Sequence, residues 1–167
     1  MKFRARKLFF TGLAVALGVA VGIPLAAADG SPASAADAPP VAVERFDYPD
    51  AAGILTSQGI QLKKGDGHVL LETCDGSADQ IRVYTVADST VGRKGDYCFR
   101  ATATSGYLTL ELPRVFALET GDHPISADLT ASGTTTTVAV DEGGFESVGE
   151  GTPSGARSVL VEIRVTG

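Results

Sequence analysis

Residues 106–112 read Gly-Tyr-Leu-Thr-Leu-Glu-Leu, and residues 158–165 read Ser-Val-Leu-Val-Glu-Ile-Arg-Val. In the first stretch Leu108, Leu110 and Leu112 alternate with Tyr107, Thr109 and Glu111. In the second Val159, Val161, Ile163 and Val165 alternate with Ser158, Glu162 and Arg164. Side chains point to opposite faces of a strand with period two, so each stretch is apolar on one face and polar on the other. That is the pattern of a half-buried antiparallel strand.

The same period recurs outward from these two runs. Ile81, Val83 and Thr85 alternate with Arg82 and Tyr84; Tyr97, Phe99, Ala101 and Ala103 alternate with Cys98, Arg100 and Thr102. Ile125, Ala127 and Leu129 alternate with Ser126, Asp128 and Thr130, and Val138 and Val140 follow a Thr134–Thr137 run. Val69–Leu71 and Val115–Leu118 are two less regular candidates. Between the runs lie Gly65-Asp66-Gly67, Gly95-Asp96, Ser105-Gly106, Gly121-Asp122, Ser132-Gly133 and Gly143-Gly144, the residues that tight turns select. About eight strands at this spacing predict an all-β antiparallel sandwich or barrel, a jelly roll among the options. Asp50 is placed to cap one short helix through Ala51, Ala52, Ile54 and Leu55, with Gly59 as its stop and Gly53 weakening it.

The chain has 167 residues, 44% of them hydrophobic, enough for one domain of residues 50–167 and no second. Residues 1–28 read as a secretory signal peptide: Lys2, Arg4, Arg6 and Lys7, then the apolar Leu8–Val21, then Pro24 and Ala26-Ala27-Ala28. Cleavage is expected after Ala28, with Ala33-Ser34-Ala35 as the second site. The alternative is a retained anchor, since Leu8 to Ala28 carries no charge and spans a bilayer at ~1.5 Å per residue. Residues 29–49, rich in Ala, Pro, Asp and Ser, read as a flexible spacer, in which Val41, Val43 and Phe46 are apolar enough to begin docking on the domain. Beyond the leader, ten basic residues face twenty acidic ones. Such a surface repels phosphate backbones and anionic lipid, which excludes charge-driven nucleic-acid binding and, once the leader is cleaved, membrane association.

Cys74 and Cys98 are the only cysteines. In an oxidising compartment an even pair in a small domain suggests one disulfide; two buried free thiols are the alternative. No recognisable cofactor motif is present, and none is expected to be needed. The acidic run Asp141, Glu142, Glu146 and Glu150 lacks the spacing of a calcium loop, so no metal site is expected. His68 and His123 each follow a Gly-Asp turn. Asp66 and His68 would share a strand face, which makes them the candidates for a small hydrolase, yet no serine sits in a nucleophile elbow. Glu72, Glu111, Glu119, Glu146 and Glu162 are carboxylates from which a glycosidase pair would have to come. The repeated Lys-Gly-Asp at 64–66 and 94–96 is best read as shared turn chemistry. A secreted hydrolase inhibitor is a further alternative, inserting the disulfide-tied loop Asp75–Gln80 into an active site. The leading expectation is a non-catalytic binding or structural module of the extracellular space or cell envelope. Its contact surface is expected on one sheet face bearing Tyr84, Arg100, Tyr107, Glu111 and Arg114, and its partner is an extracellular protein or a glycan. With no Trp in the chain, Tyr84 and Tyr107 are the best stacking residues.

Several segments carry a resemblance: residues 59–68 (GIQLKKGDGH), Tyr97-Cys-Phe99, residues 106–114 (GYLTLELPR), 147–151 (SVGEG) and 159–164 (VLVEIR). Over about two-thirds of the chain this pattern resembles small secreted proteins of actinobacteria, Streptomyces-like, that have no established activity. The resemblance implies export from a Gram-positive cell, a disulfide between Cys74 and Cys98, and a stand-alone domain. Residues 125–149 also resemble jelly-roll sugar-binding modules, at the level of fold alone.

Overall fold

The structure is a computed structural model and describes residues 46–167. The signal-peptide and anchor readings, and most of the spacer, lie outside these residues. The last spacer residues belong to the domain: Tyr48 donates its amide to the Lys63 carbonyl at 2.8 Å, and Gly65 donates to the Phe46 carbonyl at 3.0 Å.

Among the described residues one helix, α1 (Ala51–Gln58), precedes nine strands. They are β1 (Gln61–Gly65), β2 (Val69–Glu72), β3 (Gln80–Thr85), β4 (Asp96–Ala101), β5 (Gly106–Thr120), β6 (Ile125–Ala131), β7 (Thr134–Val140), β8 (Phe145–Ser147) and β9 (Ser158–Val165). A 3-10 turn covers Gly149–Gly151. The helix ends at Gly59 as expected, at φ 64°. Asp50 does not cap it through its side chain: it sits in the left-handed region at φ 51°, and its carbonyl takes the Ile54 amide at 3.0 Å. Its carboxylate lies over Gly53, where a Cβ would come within 2.5 Å of Oδ1.

All pairings are antiparallel, in the order β2-β4-β3-β5-β9-β6-β7, with β1 and β8 also paired to β5. The two runs read as separate strands, 108–112 and 115–118, are one strand of 15 residues. Periodicity does not single out β1, whose one apolar residue is Leu62 and whose register shifts before Lys64, or β8, which is three residues long. The nine strands are joined in one continuous hydrogen-bonded ladder. The first part of β5 carries β1 and β9, the second carries β3 and β8, and the inward side chains of both limbs form a single core.

The change of limb occurs at Arg114. Pro113 lies opposite Val159 and Val115 opposite Ser158, so Arg114 is an extra residue, held at φ 63°. A bulge of this kind bends the strand and shifts its parity. Leu108, Leu110 and Leu112 point inward before it and Val115 after it; a further irregularity opposite Tyr84 and Thr85 then turns Leu118 and Thr120 inward and Ala117 outward. A second irregularity at Val161 has the same effect in β9, because Leu160 faces Leu129 while Glu162 faces Asp128. Strict alternation therefore misassigns the start of β9: Ser158 and Leu160 are buried, while Val159 and Val161 are half-buried. The inward Ser158 hydroxyl is satisfied by the Val115 carbonyl at 2.9 Å. Ser132 and Gly133, at φ 49° and 81°, make the two-residue turn that joins β6 to β7.

Arg114 also holds the 149–151 turn. Its Nε donates to Glu150 Oε1 at 2.8 Å and its Nη2 to Oε2 at 2.6 Å. The guanidinium keeps the Glu150 carboxyl below its ordinary value of 4.5. A depressed folded-state value means that this contribution to stability is present above the ordinary carboxylate range and lost as pH falls through the folded value. Arg114→Ala is accordingly expected to lower the melting temperature at pH 7, with the gap to the parent protein closing in acid. Arg114→Gly is expected to lose less than Arg114→Ala, since glycine accepts the positive φ. Melting curves from pH 7 to pH 3 check both; a gap independent of pH would overturn the ion-pair account.

Candidate functional site

The outer face of the second limb is built by register. Arg82 on β3 lies opposite Cys98 on β4 and Glu119 on β5, and Glu119 lies opposite Phe145 on β8. One step along, Tyr84 lies between Asp96 and Ala117, and Ala117 opposite Ser147. Period two sends Arg82 and Tyr84 outward because Ile81, Val83 and Thr85 are in the core. The small Ala117 and Ser147 leave room for the Tyr84 ring.

The polar groups of this face are bound to one another. Arg82 gives Nε and Nη2 to Asp96 Oδ2 at 2.9 and 2.5 Å. The Tyr84 hydroxyl donates to Glu119 Oε2 at 2.5 Å. By accepting this bond the Glu119 carboxylate stabilises the protonated phenol and raises the Tyr84 pKa; partial burial acts in the same direction. The Arg82 guanidinium lies 5.1 Å from the Tyr84 ring centroid. Phe116 and Phe145 complete an aromatic group, with centroids 6.2 and 6.0 Å from that of Tyr84. Phe145 stands 58% exposed on the short strand β8.

A pocket of about 180 Å³ opens beside this group, bordered by Arg82, Glu119, the Cys74–Cys98 disulfide and residues 76–78. The disulfide ties the chain just after β2 to the outer side of β4, with Cα atoms 5.1 Å apart. The loop it anchors is rigid for identifiable reasons. Asp75 Oδ1 accepts from the Ser77 amide and hydroxyl at 2.9 and 2.6 Å, which holds the Asp75 carboxyl below its ordinary value. The buried Gln80 side chain donates to the Thr73 carbonyl at 2.9 Å and accepts from the Asp75 amide at 3.2 Å. The Ala78 carbonyl accepts the Asp122 amide at 2.6 Å; at Gly121 a Cβ would fall 1.8 Å from that oxygen, so only glycine fits. The loop is thus a closed turn with its Ala78 carbonyl already engaged.

The five residues expected to share one surface are distributed over the fold. Tyr84 and Arg100 lie on the outer face just described, Arg100 toward its far end with Nη2 2.7 Å from Glu72 Oε2 and Nε 3.5 Å from Asp79 Oδ2. Tyr107 and Glu111 lie on the first limb, Tyr107 beneath Arg164 at 5.4 Å and Glu111 bound to Lys63 at 2.5 Å. Arg114 is at the bulge, committed to Glu150. Arg82, Asp96, Phe116 and Phe145 lie outside the expected contact surface, and the sequence marks Glu119 only as one of several carboxylates. Arg82 was within reach, as an outward position of the β3 alternation. The others needed the pairing of β3, β4, β5 and β8.

The histidines are held by turns. Asp66 Oδ1 accepts the backbone amides of His68 at 3.1 Å and Tyr107 at 3.2 Å, so this carboxylate serves the turn and not the imidazole. His68 Nδ1 lies 3.4 Å from the Thr102 hydroxyl, and His123 Nδ1 3.2 Å from the Gly167 carbonyl. Among the described residues no three His, Cys, Asp or Glu side chains are grouped to hold a metal ion, and no helix is long and apolar enough to cross a membrane. Neither a protein-family model nor a curated protein matches the chain.

Proposed function

We propose that the protein is an exported, non-catalytic binding module of the extracellular space or cell envelope, and that it engages its partner through the outer face of β3, β4, β5 and β8. The observation that carries this reading is Phe145: a large apolar side chain, mostly exposed, packed beside Tyr84 on a face whose other groups are already fixed by hydrogen bonds. Rigid aromatic and guanidinium groups lose little entropy on contact, which makes such a face suited to recognition. The disulfide, the basic-then-apolar leader and the resemblance to small secreted actinobacterial proteins support export.

Two measurements test the reading. N-terminal sequencing of protein recovered from the medium of secreting cells is expected to begin at Asp29, or at Ala36 if the second site is used; a chain retained whole in the membrane would overturn export. The purified secreted protein is expected to capture a polysaccharide or a protein from the envelope and medium of its own cells. Phe145→Ala should weaken that capture about tenfold, the scale of a central interface aromatic, without lowering the melting temperature. Glu111→Ala on the other limb should leave capture unchanged. Equal loss in both variants, or none in Phe145→Ala, would remove this face from consideration.

A further inference from the structure

Arg82 and Glu119 are directly opposed on neighbouring strands and carry opposite charges. Such cross-strand pairs ordinarily engage each other. Here they do not. Arg82 is drawn to Asp96 and Glu119 to the Tyr84 hydroxyl, and among the described residues Arg82 Nη1 and Glu119 Oε1 have no hydrogen-bond partner. Both residues border the 180 Å³ pocket at the disulfide. Donor and acceptor are therefore held apart at the mouth of a cavity, each fixed by a different neighbour.

We infer that this gap takes a neutral sugar ring, whose hydroxyls bridge Arg82 and Glu119 and whose apolar face lies against Phe145. The inference rests on the binding role proposed above and names the ligand class of that same face. A hydroxyl both donates and accepts, so neighbouring hydroxyls satisfy a guanidinium and a carboxylate together. The cavity is smaller than the roughly 300–1,000 Å³ of sites that enclose a drug-sized ligand, so one ring enters and the rest of a glycan stays outside. Phe145 is the cross-strand neighbour of Glu119, which places an exposed ring beside the carboxylate. Charge argues for a neutral ligand. Asp96, Glu119, Asp79 and Glu72 outnumber Arg82 and Arg100 on this face, which disfavours anions, while at the pocket itself one guanidinium and one carboxylate, Arg82 and Glu119, offset each other. β3 and β5 are paired along both edges around Arg82 and Glu119, so no open ladder is offered to an extended peptide.

The test is an amide-resonance titration of the secreted protein with cellobiose, maltose and N,N′-diacetylchitobiose, alongside digalacturonic acid and glucosamine. At least one neutral disaccharide is expected to shift the resonances of residues 76–82, 119–121 and 145, with saturation in the millimolar range or below. Glu119→Gln and Arg82→Lys are each expected to weaken that binding at least tenfold, about 1.4 kcal/mol, while leaving the amide spectrum otherwise folded. Tyr84→Phe, which frees Glu119 without removing its charge, separates loss of the carboxylate from loss of its orientation: weaker binding with unchanged selectivity supports the orienting role. If no neutral disaccharide shifts these resonances while Phe145-dependent capture of a protein persists, the sugar inference fails and the binding reading stands. If both are absent, both fail. Preferential binding of the uronate or the amine, or sugar binding that survives Glu119→Gln, overturns the inference.

Discussion

Leu160→Ala is expected to destabilise the domain by about 2–5 kcal/mol, whereas Val159→Ala and Val161→Ala should each cost about 1 kcal/mol or less. Leu160 is fully buried and lies opposite both Leu112 and Leu129, so its truncation opens a cavity between β5 and β6. Its two neighbours are only half-buried. Strict period two from Ile163 and Val165 predicts the reverse order, because it places Val159 and Val161 inward. Urea unfolding of the three variants, read at constant m, decides between the bulged and the regular strand. Comparable losses at all three positions, or a larger loss at Val161, would mean that β9 is not bulged as described.

Replacing both cysteines by alanine is expected to cost about 2–4 kcal/mol. The bridged residues are 24 apart in sequence, and the chain-entropy relation gives roughly 3.5 kcal/mol for a loop of that size, reduced by any structure the open chain retains. The loss should be largest locally. Residues 73–79 are held by the bridge, by the Gln80 side chain and by the Asp122 and Ala101 amides on the Ala78 and Asp79 carbonyls, and removing the first leaves only hydrogen bonds to order the loop. Faster amide exchange at Ser77 and Gln80, without change at Leu108 or Ile163, is the expected signature. Because the sulfurs also border the pocket, the same variant should lose sugar binding. Unfolding curves with and without reductant check the stability change; a difference below about 1 kcal/mol would show that the bridge adds little to a fold already secured by its core.

Most strands were legible because their information is local. Leu108, Leu110 and Leu112 alternate with polar residues whatever their partners are, and Ser132-Gly133 encodes a tight turn between two such runs. Reading failed where pairing, not periodicity, fixes geometry. Nothing between Leu112 and Val115 announces that the strand continues through Pro113 and Arg114. The bulge there exists because β9 offers one residue fewer, and because Glu150 is in place to hold the arginine. β8 is three residues long, too short for any period, and is defined by hydrogen bonds to Ala117–Glu119. The candidate site suffered for the same reason. Tyr84 and Arg82 are visible as outward positions of one strand, but their association with Glu119 and Phe145 depends on which strands flank β3 and β5.

The amino-acid sequence by itself determined that this is an all-β antiparallel domain after an apolar N-terminal stretch, with an excess of acidic residues and two cysteines. Each of these follows from composition or from contacts between residues close along the chain. Tertiary structure alone decided that the strands form one ladder bent at Arg114, that Tyr107 and Glu111 stand apart from Tyr84, and that Arg82 and Glu119 face each other without pairing. Those outcomes depend on register between distant strands, and a shift of one residue exchanges the faces of a strand while leaving its alternating pattern intact.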